Sequence, residues 1–543
     1  MFNRRDALKF LVAIPALWSG CSSSAPSSPI TGEFVGPNMD IGHRLRDGFR
    51  PVPSDADWRD VDVVIVGGGI AGLSAGWQLL RSGVKNFVVL ELESEAGGTS
   101  RGGRCELTAF PWGAHYLPVP APENQSLIEL LDEMQLLERI EPDGRPIVRE
   151  QFLVREPEER LFVDGLWHEG LVPSEIASES DDAELTAFRA EIDRWVAWRD
   201  TDGRRAFTIP LAQCSNAAEP MLLDQLSMSA WLDQHGWRSA RLRWLVDYAC
   251  RDDYGSKLDQ TSAWAGVFYF AARMGKPGDE SQPLLAFPEG NARIAKHFAD
   301  RVGERLRCGI AVTEVQTEDD GQQVRVIGFD TSRDQALGFR AKRAILAVPQ
   351  FLASRLVAGF PSDRVAAAKQ FQYAPWLVAN LHLKARPSAE GFSLMAWDNV
   401  LADSESLGYV SATHQSGRDH GPVVLTYYWP WCDADVRAAR ERMLRLTWTE
   451  AVEHILADLT PAHRNLRELV ERIDVMRWGH AMIRPSPGFL TRDARRQASA
   501  AWRGLHFANT DLSGMALCEE AFFHGTRAAQ EVAEALPRRE PPS

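Results

Sequence analysis

The sequence predicts an α/β protein of two domains, the first opening on a strand, a turn and a helix. Three observations predict this. A β-branched apolar run, Val61 to Val66, leads directly into a glycine-rich turn and an amphipathic stretch that ends near Arg81. Strand-like and helical segments of similar character return in the middle of the chain and at its end. Between them lie two long stretches with apolar periodicities of their own, and 543 residues at 45% hydrophobic content can bury two cores rather than one.

The turn after Val66 has Gly67, Gly69 and Gly72 in GxGxxG spacing, with its strand before it and its helix after it. Gly67 permits the tight turn, Gly69 lets the backbone approach a pyrophosphate, and Gly72 lets the helix pack close to the strand. Ile70 and Ala71 open that helix, whose free N–H groups and positive end would face the phosphates. Phe87 to Leu90 reads as a second buried strand ending in Glu91, 19 residues beyond Gly72, where a carboxylate can accept both hydroxyls of an adenosine ribose. Together these predict a Rossmann-like dinucleotide site, and this motif alone leaves NAD, NADP and FAD open.

Gly97 and Gly98 bring a second flexible segment toward the same phosphates. The run Glu91…Gly97-Gly98-Thr99 resembles that of two-domain flavoproteins, and the chain is similar to the flavin-containing amine oxidase superfamily, which includes phytoene desaturases and protoporphyrinogen oxidases. The resemblance recurs at Gly113-Ala114-His115-Tyr116, at Phe287 to Ala295 with the strand-like Ile310 to Val315, and from Gly504 to Asp511 with the helix from about Glu519 to Leu536. It implies non-covalent FAD, held by Gly67, Gly69, Ile70, Ala71, Gly72, Glu91, Gly97, Gly98, Thr99, Arg104, Gly113, Ala114, His115, Val312, Asp511 and Glu520. It also implies a Rossmann-like FAD domain in three parts (57–122, 284–349 and 488–543, the last with a polar tail) and an α+β substrate domain in two (123–283 and 350–487).

In the first insertion, Leu127 to Leu137, Ala183 to Arg199 and Ser229 to Cys250 have helical spacing. In the second, Trp376 to Leu383, Gly408 to Ala412 and Val423 to Trp431 read as strands, followed by one long helix from about Asp435 to Leu459. The family places several of these segments near the flavin ring, which makes His115, Tyr254, Trp429 and His480 the catalytic candidates. Tyr116, Asp253, Tyr428 and Trp478 lie in the same segments. Trp429 also reads as strand core, and Asp253 as a turn cap or a partner of Arg251.

Three positions depart from the amine oxidases of that superfamily. Thr99 stands where they carry an Arg, with Arg101 or Arg104 as substitutes; Leu517 stands where monoamine oxidases supply a cage tyrosine; and no Cys lies near Ser486-Pro487-Gly488 to bond a flavin covalently. The resemblance therefore extends to flavin-dependent two-electron oxidation, with a small amine or amino-acid-like substrate as the first expectation and oxygen or another acceptor reoxidising the flavin. Direct hydride transfer from a neutral amine needs a dry, orienting pocket more than a strong base. A dehydrogenase of a more apolar substrate, like the phytoene desaturases, and a flavin-stabilised binding protein without turnover are the alternatives.

Asn3-Arg4-Arg5-Asp6 followed by the short apolar stretch Leu11 to Trp18 reads as a twin-arginine (Tat) signal over residues 1–21. That implies the twin-arginine translocation machinery as a partner and a periplasmic location. Trp18-Ser19-Gly20-Cys21 resembles a lipoprotein cleavage box, so the alternatives are a lipid anchor on Cys21 and plain signal cleavage. Residues 22–56, rich in Ser, Pro and Gly up to Pro37, read as a flexible tether. A formal charge of −14 argues against nucleic acid, and the seven scattered cysteines form no metal-ligand pattern. Mostly free thiols are expected, because twin-arginine substrates fold before export.

Overall fold

The computed structural model describes residues 29–279 and 281–537, so the twin-arginine stretch and Cys21 lie outside the described residues. Val61–Val66 forms the buried end of the strand Trp58–Val66. This strand is central because it pairs in parallel with Phe87–Leu90 on one side and Gln335–Leu346 on the other. Seven strands make up the sheet: Leu306–Arg307, Phe87–Leu90, Trp58–Val66, Gln335–Leu346, Val324–Asp330 and Ile310–Thr317 in that order, with Leu505–Phe507 added beside Gln335–Leu346. The long strand changes neighbours to do this. Its first half pairs antiparallel with Val324–Asp330, and its end, Ala344 to Leu346, pairs in parallel with Leu505–Phe507. Three stretches far apart in sequence thus share one sheet.

Two glycine contacts hold the helices on this sheet. A Cβ at Gly72, in the helix Ile70–Arg81, would stand 1.8 Å from the carbonyl oxygen of Gly67, so strand, turn and helix close only around glycine. The last helix, Cys518–Ala535, packs across the first; a Cβ on Gly525 would meet Ser74 Oγ at 2.1 Å and the Ala71 carbonyl at 2.2 Å.

A second seven-stranded sheet runs Val470–Ile483, Tyr373–Leu383, Val423–Pro430, Gly408–Ser411, Asp398–Leu401, Glu159–Val163 and Leu166–Glu169. The two-residue period divides its side chains. Leu377, Ala379, Tyr427 and Trp429 pack under the helices Val436–Arg445 and Trp448–Leu459. Trp376, Val378 and Tyr428 point the other way, into a cluster shared with Phe110 and Trp112. Helices between 179 and 271 add a tryptophan-rich core around Phe207, Trp231 and Trp264.

Several sequence expectations need correction. The helix expected over Ser229–Cys250 is two, Met228–Gln234 and Ala240–Tyr254, with Ser239 capping the second. The single helix expected over Asp435–Leu459 breaks at Thr447, where Thr447 and Glu450 form a reciprocal capping box that starts a new helix. Leu127–Leu137 shortens to Gln125–Glu133, and Leu137 begins a strand. The first insertion also supplies the hairpin Glu159–Val163/Leu166–Glu169, which turns at Asp164-Gly165 with both φ positive, a legible signal that helical spacing elsewhere obscured. The tether is docked rather than flexible in its described part. Thr31 and Phe34 bridge to the strand Val470–Ile483, and Met39–Arg46 is a helix.

The six described cysteines, Cys105 to Cys518, are free thiols. Among the described residues no helix is long and apolar enough to cross a membrane. Gly525→Ala is expected to lower unfolding free energy by about 1–3 kcal/mol, the usual range for overpacking. Urea denaturation measures it, and an unchanged midpoint would refute the close helix contact.

Candidate active site

Two adjoining cavities lie between the sheets. The larger, about 1600 Å³ with its mouth included, runs along the ends of the parallel strands. Of the residues assigned to a cofactor from sequence, Gly67, Gly69, Ile70, Ala71, Glu91, Gly97, Gly98, Thr99, Ala114, Val312 and Asp511 line it. Gly72 sits behind Gly67 and shapes the turn from there. Gly113 and His115 line the second cavity, and Ala114 lines both.

The turn and the Gly97-Gly98 segment are tied together by a hydrogen bond from Gly97 N–H to the Gly68 carbonyl at 2.8 Å. Glu91 is anchored by N–H donations from Gly68 at 2.6 Å and Glu93 at 2.9 Å. Burial pushes its carboxyl above the ordinary range, against the pull of those two donors. No side chain caps the helix Ile70–Arg81, so its first N–H groups are left for a ligand. At the other end Asp511 accepts from Tyr373 Oη and from Gln350 N–H, and burial raises it to about 6. His480 faces the cleft, stacked on Phe351 at 4.1 Å; desolvation, with Arg440 and Arg355 nearby, lowers it to about 3 and keeps it neutral.

The second cavity, about 940 Å³, is enclosed by Tyr116, Tyr248, Trp376, Tyr428 and Trp478 and by the Gly113–His115 turn. Asn291 holds that turn, donating from its backbone N–H to the Ala114 carbonyl and from its side chain to the Tyr116 carbonyl. His115 stacks on Tyr428 at 4.6 Å, and Tyr428 Oη donates to the Gly113 carbonyl. Burial lowers His115 to about 4, so it is a neutral wall at pH 7.

Four carboxyls, Asp252, Asp253, Asp398 and Glu519, line this cavity, and among the described residues none of its lining is Lys or Arg. Asp252 is raised to about 8 and Asp398 to about 7, by burial first and then by neighbouring acids. Glu519, at the start of the last helix, is also raised to about 7 by burial. Tyr248 Oη donates to Asp398 at 2.9 Å, while Tyr116 Oη lies between Asp252 and Asp253. Asp253 itself is engaged with Arg273 at 2.7 Å.

Four sequence assignments are corrected. Trp429 stacks on His454 on the far face of the second sheet, because the strand period that brings Tyr428 in turns Trp429 out. Tyr254 is core, its hydroxyl spent on the Ala265 carbonyl. Arg104 is exposed on a hairpin; Arg101 is the buried one, but it pairs with Glu93 and lies over Trp478. Glu520 turns away from both cavities to accept from Leu211 N–H, and its neighbour Glu519 faces in. Asp253 pairs with Arg273, whereas Arg251 pairs with Asp247.

Sequence reasoning missed Asp252, Asp398 and Glu519. One signal was available, since adjacent acids in the last turn of a helix, Asp252-Asp253, oppose the helix dipole and call for a compensating role.

A glycine-walled cleft that ends on an uncapped helix and an anchored acid, opening into an aromatic cavity, fits an oxidoreductase with a nucleotide cofactor. Residues 70–533 match the flavin containing amine oxidoreductase family, and the chain belongs to it. Oxidoreductase PigB of Serratia sp. (strain ATCC 39006) is 22% identical over 527 residues, 87% of this chain and 75% of that protein. Wild-type putrescine oxidase bound to putrescine superposes with a TM-score of 0.63 at 19% identity, over 88% of this chain and 99% of that one. Cyclohexylamine oxidase from Brevibacterium oxydans IH-35A gives 0.63 at 17% identity, over 88% and 100%. At these identities the two structures show a shared two-domain α/β fold.

The residues present fit a flavin. A Cβ at Gly67 would meet the Ala347 carbonyl at 2.4 Å and one at Gly113 the Thr99 carbonyl at 2.2 Å, so the backbone itself forms the cradle.

The raised carboxyls have a measurable consequence. Asp252 keeps its proton in the folded state to about pH 8, whereas the unfolded chain releases it near pH 4. The folded state therefore binds more protons, and stability falls as pH rises through that window. His115 acts in the opposite sense only below its ordinary value of 6.5. Between pH 6.5 and 8 the Asp252→Asn variant is expected to lose stability less steeply than the parent, by at most about 1.4 kcal/mol per pH unit. Urea titrations across that range measure it, and parallel curves would refute the assignment.

Proposed function

We propose that the protein binds FAD non-covalently and oxidises a small cationic amine in the aromatic cavity. The observation that carries this reading is the carboxyl set Asp252, Asp398 and Glu519, in a cavity that no Lys or Arg lines among the described residues. Burial keeps these carboxyls protonated despite Arg273 behind the wall, which Asp253 engages, and an entering ammonium would supply a charge inside the cavity. A cavity for a wholly apolar substrate would be lined by aliphatic side chains, which argues against the desaturase alternative. FAD is favoured among flavins by Glu91, anchored where its carboxylate would accept from the hydroxyls of an adenosine ribose.

A flavin bound in the cleft supplies two-electron oxidation of the substrate C–N bond. The chain's own residues do the rest. Asp252 and Asp398 attract the ammonium, and in a dry cavity a carboxylate can take its proton and leave the neutral amine. Trp376, Tyr428 and the neutral His115 confine the apolar part of the substrate and exclude water. Thr99, Ala114, Trp478 and Leu517 border both cavities, so the substrate would meet the cofactor there.

Anaerobic mixing with primary amines, diamines and amino acids is expected to bleach the flavin absorbance for at least one cationic amine. The quotient kcat/KM is expected to rise about tenfold from pH 6 to 8 as the cavity carboxyls ionise. In Asp252→Asn/Asp398→Asn this limb is expected to flatten, with KM raised at least tenfold. Bleaching by apolar substrates alone would overturn the reading, as would an unaltered pH profile in the double variant. Heat release of the cofactor, with fluorescence before and after phosphodiesterase, distinguishes FAD from FMN.

We further propose export by the twin-arginine route to the periplasm, on the strength of Arg4-Arg5 and the apolar stretch that follows. Loss of secretion in Arg4→Lys/Arg5→Lys tests it, and labelling of Cys21 with a lipid precursor separates anchoring from plain cleavage.

A further inference from the structure

The segment ahead of the first strand crosses from one domain to the other. Its first half extends the edge of the second sheet. Thr31 N–H donates to the Glu471 carbonyl at 3.0 Å, Ile473 N–H to the Thr31 carbonyl at 2.8 Å, and Val35 N–H to the Val475 carbonyl at 3.0 Å. Glu33 pairs with Arg472, and the Arg477 guanidinium lies 3.7 Å over Phe34. Its second half, the helix Met39–Arg46, docks on the first domain. Ile41 is buried against Ala311 and Phe329, Phe49 meets Phe329 edge-on at 5.0 Å, and Arg44 lies over Phe49 at 4.1 Å.

This helix lines the larger cavity. Gly42 and Leu45 form part of its wall beside Leu92, Ile310 and Ala311, next to Glu91. A continuous set of hydrogen bonds joins the segment to that acid. Asn38 N–H donates to the Glu93 carboxylate at 2.9 Å, Arg101 pairs with the same carboxylate at 3.2 Å, and Glu93 N–H donates to Glu91 at 2.9 Å.

We infer that Ile30–Arg46 is a cofactor-retaining strap, whose helix closes the Glu91 end of the cleft over the adenosine half of FAD while its strand pins that closure to the other domain. The inference rests on the FAD reading of the cleft. The dinucleotide then enters or leaves that end only when the strap lifts, which couples its release to breaking contacts on both domains. Ile41 and Phe49 act on the cofactor through Leu45 and Gly42 and are positioning residues.

Flavin release is read as the rise in free-FAD fluorescence after large dilution of the holoenzyme into flavin-free buffer. Ile41→Ser and Phe49→Ser are each expected to speed release at least tenfold while the far-ultraviolet circular dichroism stays that of the parent. Release at the parental rate in both folded variants would overturn the strap. Hydrogen–deuterium exchange of the unaltered chain, with FAD bound and after its removal, keeps the inference testable if either variant fails to fold. The amides of Met39–Arg46 are expected to exchange at least tenfold more slowly with FAD bound, and equal rates would overturn it. A protein that takes up no FAD at all would instead sink the FAD reading, and one that holds FAD with equal exchange sinks only the strap.

Discussion

Everything at the site depends on one close contact, in which the helix Ile70–Arg81 is clasped between the turn that starts it and the last helix of the chain. Gly72 admits the Gly67 carbonyl on one side, and Gly525 admits Ser74 and Ala71 on the other. Each approach is shorter than any side chain tolerates, so the two helices and the strand form a single rigid unit. Its rigidity brings residues more than 400 positions apart into register. The N-terminus of the first helix faces the cleft, and the N-terminus of the last presents Cys518 and Glu519 where the two cavities meet.

The second cavity is defined by electrostatics as much as by shape. Its walls are aromatic, which keeps the local dielectric low, and burial has pushed Asp252 and Asp398 toward their protonated forms. Such a cavity is costly to the fold unless a cation completes it. Asp253 illustrates the point from within, because it is the acid of this cluster with a resident cation, Arg273, which lies behind the cavity wall. Among the described residues, tyrosine hydroxyls are the side-chain hydrogen-bond partners of Asp252 and Asp398.

The cofactor cleft was legible because its chemistry is local. Glycine spacing, a strand before it and an acid after it are consecutive features, and each performs its function through the backbone, whose position follows directly from the turn. The second cavity was much less legible. Strand periodicity says that Tyr428 and Trp429 face opposite ways but not which of them faces the cavity, and the choice of Trp429 fell on the wrong side. Tyr254 and Glu520 failed for a similar reason, since on a helix a shift of one residue turns a side chain through about 100°. Long helices were over-extended at Thr447 and Ser239 because a cap in the middle of a run interrupts the backbone without interrupting the apolar spacing.

By itself the sequence determined the first strand, its glycine turn, the helix after it and the acid Glu91, while the family resemblance implied the return of the chain to that domain at its end. Those features are written in contiguous residues whose conformational needs are their own. Only the tertiary structure decided which acids face the second cavity, which aromatics form its walls and where residues 30–46 lie. Burial, carboxyl protonation and docking across two domains are properties of neighbours brought together by folding, and no local pattern encodes who those neighbours are.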